Sequence, residues 1–211
     1  MKELFINKYK PKYFKDYDTD IEIIKTLKML LKTDNTNILL SGDYNSGKST
    51  ILNTIFFFFF LNIPYSDYNN NILYINNISD QGINYYRNDV KIFCQLRCNI
   101  LGKKKKIIMD DIDLINEQSQ QVFRSFIDNY SNNVFFIAST SNIQKVIDSL
   151  QTRFNILKIE PFKKSSVLKI MNKIKTNESI SMDKEAEDFI INISNYNIKL
   201  LIQYMHKCKL I

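Results

Sequence analysis

Eight residues, Gly42-Asp43-Tyr44-Asn45-Ser46-Gly47-Lys48-Ser49, constrain the fold of this chain more than any others. They follow a short apolar run, 37–41 (NILLS), and open a stretch of helical character, 49–62. The pattern G-x-x-x-x-G-K-[ST] between a strand and a helix is a phosphate-cradling turn. Gly42 and Gly47 let the backbone curl so that successive N–H groups face phosphate oxygens. The helix beginning near Lys48 adds its positive end. Lys48 is expected to bridge the outer phosphates, the Ser49 hydroxyl to ligate Mg²⁺, and Asp43, Tyr44, Asn45, Ser46 and Thr50 to line the same turn.

Such a turn needs a sheet behind it. Residues 72–75 (ILYI), 106–109 (KIIM) and 134–138 (VFFIA) are further apolar runs of strand length. Helical stretches separate them at 82–99 and 117–130, and strands alternating with helices predict an α/β fold with a parallel sheet. After Pro161 the pattern changes. Residues 163–175, 183–193 and 197–209 have helical periodicity without a strand candidate, so a small helical unit is expected beyond a boundary near 154–162. The Asn-rich patch 67–71 reads as a loop. Lys103 to Lys106 read as a solvated turn before a strand, with a phosphate-contacting patch as the alternative.

The second half of a nucleotide site should be an apolar strand ending in carboxylates. Ile107-Ile108-Met109-Asp110-Asp111-Ile112-Asp113 supplies it. Asp110 is placed to hold the metal, and Asp111 to polarise an attacking water.

Composition narrows the partners. The 211 residues carry a net charge of +7, with 45% hydrophobic and 24% charged residues. That is globular composition, and the charge favours an acidic partner, nucleic acid before a membrane surface, or solubility alone. Three Cys and one His make neither a disulfide framework nor a Cys/His zinc site. No signal peptide is expected at the N-terminus, and the apolar run 55–61, with Phe at 56–60, is too short to cross a bilayer. It reads as a buried helix face, with one or two Phe left to touch the helical unit or a partner. Cys94 and Cys98 are expected one helical turn apart, facing away from Arg87.

Several blocks together resemble the small subunits of replication factor C, the AAA+ sliding-clamp loader family. They are Lys8-Tyr9-Lys10-Pro11, residues 73–83 (LYINNISDQGI), Arg87-Asn88, Gln120-Gln121, Arg124, Tyr130-Ser131 and residues 149–154 (SLQTRF). The resemblance covers essentially the whole chain. It implies a P-loop AAA+ core with a parallel five-stranded sheet at 1–157, followed by a small all-helical lid at 158–211. The family's collar domain would be absent.

The resemblance also implies roles. Lys8, Tyr9 and Pro11 would lie near the adenine. Arg153 would be an arginine finger acting on ATP held by a neighbouring subunit. Arg87 and Lys91 would contact the DNA backbone without sequence preference. Four departures soften the pattern. Asp43-Tyr44-Asn45 replace Pro-Pro-Gly in the loop, and Asp111 stands where the family has Glu. Thr140 stands at the Asn of sensor 1, and Lys199 at the Arg of sensor 2. A carboxylate withdrawn by about 1 Å costs on the order of a hundredfold in rate, so ATP should be bound more securely than it is hydrolysed.

The expected function is an ATPase, slow and partner-dependent, that binds ATP and Mg²⁺ and helps load a sliding clamp onto primer–template DNA. The expected partners are other clamp-loader subunits, the clamp and DNA, with no membrane. The expected place is intracellular, in a nucleus or viral replication compartment. The alternatives are a subunit of the same assembly that binds nucleotide without turnover, and another AAA+ replication initiator or helicase loader.

Overall fold

The structure, a computed structural model, describes residues 3–17, 21–33, 37–60, 68–75, 82–100 and 102–210. Residues 76–81, within the block 73–83, lie outside the described residues, as do 61–67.

Five parallel strands form one sheet in the order β2-β3-β4-β1-β5. They are β1 (Ile38–Ser41), β2 (Ile72–Ile75), β3 (Lys105–Met109), β4 (Val134–Thr140) and β5 (Asn155–Lys158). Strand side chains alternate between faces. Leu39, Ile107, Met109, Phe136 and Ala138 therefore enter one core, while Ile38, Leu40, Ile108, Phe135 and Ile137 enter the other. Covering both faces turns these strands into unbroken apolar runs. The helices 83–95 and Glu117–Tyr130 close the first face, and Ile21–Thr33 and Lys48–Phe60 close the second. Asn116 starts the Glu117–Tyr130 helix by accepting a hydrogen bond from the Ser119 N–H at 2.9 Å.

Three helices, Lys164–Glu178, Lys184–Ser194 and Ile198–Leu210, follow the sheet. The first two end in left-handed residues, Ser179 (φ 53°) and Asn195 (φ 46°), which stop a helix by turning the chain out of it. Val167, Met171, Ile174, Ile191, Leu201 and Met205 make a third core, and Phe5 from the N-terminal segment is buried with them.

Several details differ from expectation. Lys105 and Lys106 are not in a solvated turn. They begin β3 and are 2% and 4% exposed. Their aliphatic stems run along opposite faces of the sheet, and their ammonium groups find aromatic rings. Lys105 Nζ lies 4.2 Å from the centre of the Phe93 ring and donates to the Phe93 carbonyl. Lys106 Nζ lies 5.0 and 4.9 Å from Phe59 and Phe135. The Asn-rich patch holds one helical turn, Tyr68–Asn71, and the buried Asn71 accepts from the Asn99 N–H. In the phenylalanine run, Phe59 is buried and Phe57 is exposed.

The helix 83–95 has a π-turn at Tyr86–Val90 and ends at Gln95, where Leu96 is extended. Cys98 therefore lies beyond the helix, so the two thiols are not one helical turn apart; Cys94 packs into the core with Tyr86 and Val90, and Arg87 is exposed. Burial pushes the Cys94 thiol up to about 12. Only a thiolate reacts quickly, so an aromatic disulfide reagent at pH 8 should label Cys98 and Cys208 in the native protein. Cys94 should react only after unfolding. Fast labelling of all three thiols would contradict this burial.

Candidate nucleotide site

Ligands of open α/β sheets gather at the carboxyl ends of the strands. Here β4 lies between β1 and β3, so three turns meet: the Gly42–Gly47 loop after β1, the Asp110–Asp113 turn after β3, and residues 139–141 at the end of β4.

The loop is shaped by its glycines. A Cβ on Gly42 would sit 2.4 Å from the Ile159 carbonyl oxygen. Gly47 has φ 92°, and the Phe162 ring lies against it. Asn45 is also left-handed, at φ 63°. Lys48 begins its helix and folds back over the loop, donating to the carbonyls of Gly42 at 2.9 Å and Asp43 at 2.8 Å. Burial lowers its pKa, while Asp111, Asp110, Asp113 and Asp43 pull it back up. Ser46 Oγ is buried and has no hydrogen-bond partner among the described residues. The orphaned Ser46 hydroxyl, the buried Lys48 ammonium and the N–H groups of a helix's first turn are all donors, and together they fit an anionic phosphate. Tyr44, at 70% exposed, extends the loop outward. Thr50 is half-buried in the first turn of the helix.

The acidic turn meets this loop directly. Ser49 Oγ donates to Asp110 Oδ1 at 3.1 Å, a hydroxyl and a carboxylate of the kind that hold Mg²⁺ together with substrate phosphates. Among the described residues, no group of three or more His, Cys, Asp or Glu is arranged to hold a metal alone. Asp111 has left-handed backbone, φ 53°. Burial raises its pKa first, and then the charges of Asp110 and Asp113, with Lys48 opposing.

Three hydroxyl residues of β4 and its end face these carboxylates. Ser139 Oγ accepts from the Asp111 N–H at 2.9 Å and donates to Asp110 Oδ1 at 2.5 Å. Thr140 Oγ1 donates to Asp113 Oδ1 at 3.0 Å. Ser141 Oγ donates to Asp111 Oδ1 at 3.3 Å, and its N–H to Asp113 Oδ1 at 3.1 Å. The sensor position, Thr140, thus has its hydroxyl on Asp113. Nothing in the sequence singled out Ser139 or Ser141. The only available signal was a Ser-Thr-Ser run closing an apolar strand.

The other expected site residues lie apart from this cluster. Tyr9 Oη and Lys8 Nζ both donate to Glu178 Oε1, at 2.7 and 2.6 Å, at the end of the Lys164–Glu178 helix. The Pro11 carbonyl accepts from Thr54 Oγ1 at 3.5 Å, on the helix that follows the loop. The N-terminal segment therefore bridges the C-terminal helices and the loop's own helix. Lys199 is exposed in the first turn of the Ile198–Leu210 helix. Arg153 precedes β5, at the opposite end of the sheet from the loop. Its guanidinium forks onto Asp128, with Nε to Oδ1 at 2.6 Å and Nη2 to Oδ2 at 3.0 Å. Arg87 and Lys91 are exposed and line a groove of about 450 Å³ against Ser125, Asn129 and Tyr130.

Comparison with known proteins shows the family. A family model described as an AAA domain matches residues 34–168. The chain is 27% identical over 203 residues to the replication factor C small subunit of Aeropyrum pernix, covering 96% of this chain and 61% of that protein. It is 29% identical over 209 residues to that of Picrophilus torridus, covering 97% and 64%. The chain thus spans about three fifths of the length of these relatives. Among solved structures, AMPPCP-bound DnaA from Aquifex aeolicus superposes with a TM-score of 0.71 at 14% identity, covering 94% of this chain and 65% of that one. A mutant of RuvB from Thermotoga maritima does so with 0.69 at 16%, covering 94% and 64%. At such identities the likeness is one of fold. No helix among the described residues is long and apolar enough to cross a membrane.

Proposed function

The chain belongs to the AAA domain family, and from that premise we propose that it is an ATP-binding, clamp-loader-like ATPase subunit working on primer–template DNA. The observation that carries this reading is the meeting of Lys48, Ser49, Asp110 and Asp111 at one end of the sheet. The similarity to replication factor C small subunits supports the reading of a DNA substrate and of a setting where DNA is replicated.

In this reading the N–H groups of residues 43–49 and the Ser46 hydroxyl bind the phosphates. Lys48 exchanges its two loop carbonyls for phosphate oxygens. Ser49 and Asp110 would hold Mg²⁺, which when bound neutralises charge on the outer phosphates. Asp111 accepts a proton from the attacking water, and its raised pKa makes it a better base. Lys8, Tyr9 and Pro11 flank the adenine, and Lys199 reaches the phosphates when the lid, 158–211, closes on the core, 1–157. Arg153 acts on the nucleotide of a neighbouring subunit, because it lies at the far end of its own sheet. Arg87 and Lys91 meet DNA phosphates, with the sugar–phosphate path following the groove beside them.

A second reading, a subunit that binds nucleotide with little turnover, is favoured by the short carboxylate of Asp111 and the engaged hydroxyl of Thr140. The test of the assembly is affinity capture of the tagged full chain from its own cells with ATP present, read by mass spectrometry. Recovery of other AAA subunits and a ring-shaped clamp is expected. Recovery of the chain alone, or with unrelated proteins, would overturn the clamp-loader part of the reading.

A further inference from the structure

We propose that Tyr74 is a further positioning residue of the nucleotide site, its phenol hydroxyl donating to water held by the divalent cation beside Asp110. The inference rests on the ATPase reading above, and it brings the edge strand β2 into the site.

Strand register places the side chain. Tyr74 pairs with Ile108 across the β2–β3 ladder, and the Asp110 N–H carries that ladder one step on, donating to the Ile75 carbonyl at 3.1 Å. Side chains two apart along a strand share a face. Ile108 and Asp110 therefore lie on one face, and Tyr74, beside Ile108, lies on the same one. This is the face closed by the Lys48–Phe60 helix. Tyr74 is thus the diagonal neighbour of Asp110 on the next strand, a separation within reach of an aromatic side chain.

The helix gives an independent measure of the same arrangement. Ser49 donates to Asp110, and the Phe56 ring meets the Tyr74 ring edge to face, with centroids 5.4 Å apart. Positions 49 and 56 are about two turns apart and present one side of the helix. That side meets the carboxylate at its first turn and the phenol further along. Phe56 and the second core hold the ring.

The polar atoms left over are complementary. Tyr74 is half-buried, yet its hydroxyl has no hydrogen-bond partner among the described residues. Asp110 Oδ1 takes both the Ser49 and the Ser139 hydroxyls, while its Oδ2 accepts from no described residue. Burial raises the Tyr74 pKa first, and the charges of Asp110 and Asp111 raise it further. The phenol therefore stays protonated and faces the carboxylates as a donor. A donor and an acceptor that face each other without touching are joined by water. Mg²⁺ binds through one or two carboxylates and keeps several of its waters. Ser49 and Asp110 would hold the cation directly, and Tyr74 would hold it through one of those waters.

The test compares the full chain with Tyr74→Phe, which keeps the ring against Phe56 and removes only the hydroxyl. A fluorescent ATP analogue is titrated first in EDTA, and then at fixed concentration against rising MgCl₂. Thermal unfolding without nucleotide reads the fold. Tyr74→Phe should raise the Mg²⁺ concentration at half-saturation by about tenfold, the loss of one charge-assisted hydrogen bond. Affinity in EDTA and the melting midpoint should stay at their wild-type values. An Mg²⁺ requirement within about threefold of wild type would overturn the proposal. An equal loss in EDTA would also overturn it, by putting the hydroxyl on the nucleotide, and so would a lowered melting midpoint, by making it part of the fold. In each of these cases the ATPase reading stands. A wild-type chain that binds no analogue, or binds it without regard to Mg²⁺, would overturn that reading and this proposal together.

Discussion

Replacing Lys48 by Ala is expected to weaken ATP binding by about a hundredfold, while the fold is retained. Lys48 Nζ makes two hydrogen bonds to loop carbonyls, and a charged hydrogen bond contributes roughly 1.5–3 kcal/mol. Two such bonds transferred to phosphate oxygens amount to about 3 kcal/mol, or two decades in affinity. Burial lowers the Lys48 pKa, and four aspartates oppose that shift. The fold should survive because Lys48 anchors no core cluster, and the carbonyls it leaves lie at the mouth of the loop. Equilibrium titration with a fluorescent ATP analogue, beside a thermal melt, measures both. An affinity within about threefold of wild type would mean that the Gly42–Ser49 loop is not the phosphate site.

The second large effect falls on turnover. Asp111→Asn is expected to lower single-turnover hydrolysis by about a hundredfold with ATP affinity preserved, since a positioned base contributes at least two decades. Asn keeps the shape and the left-handed backbone, so the loss would report the proton acceptor itself. Asp111→Glu is the companion. If the shorter side chain limits the rate, Glu should raise hydrolysis by about tenfold. If hydrolysis falls, the contacts from Ser139 and Ser141 are matched to aspartate. Wild-type hydrolysis in Asp111→Asn would exclude Asp111 as the base.

Much of the fold is legible in the residues because burial on both faces leaves a plain mark. The four-to-seven-residue apolar runs at β1, β2, β3 and β4 have no simpler explanation than a covered parallel sheet. The octet at Gly42 fixes which strand comes first in the site. Strand β5 is different. Asn155-Ile156-Leu157-Lys158 is short, pairs only with β1, and leaves Ile156 partly exposed. An edge strand of that kind carries no periodic signal, and only the family resemblance implied it. Lys105 and Lys106 mislead for the opposite reason. Their charges suggest water, but their long stems and the rings of Phe93, Phe59 and Phe135 allow burial. The end of the helix at Gln95 has no Gly or Pro to announce it.

The site was legible only in part, and the division follows sequence distance. Residues joined by a local motif, such as Lys48 with Ser49 or Asp110 with Asp111, are recognisable by spacing. Ser139 and Ser141 acquire meaning only when β4 is threaded between β1 and β3. That is a property of the topology, and hydroxyl residues at strand ends are too common to signal it. The similarity to replication factor C small subunits agrees with the resemblance read from the motif blocks.

The bridge from Phe5 and Tyr9 to the C-terminal helices has a consequence for the order in which this fold is assembled. Tyr9 and Glu178 are 169 residues apart, and Phe5 is buried among Val167, Met171 and Met205. Contacts that distant form late, because the loop they close must first be ordered. On the ribosome the segment carrying Phe5 and Tyr9 emerges long before the helices at 164–210 that receive it. Until those helices follow, Phe5 stands in water. The nascent sheet can assemble meanwhile, but the third core waits for two stretches of chain made at very different times, and a pause in synthesis between them leaves an apolar ring open to the wrong company.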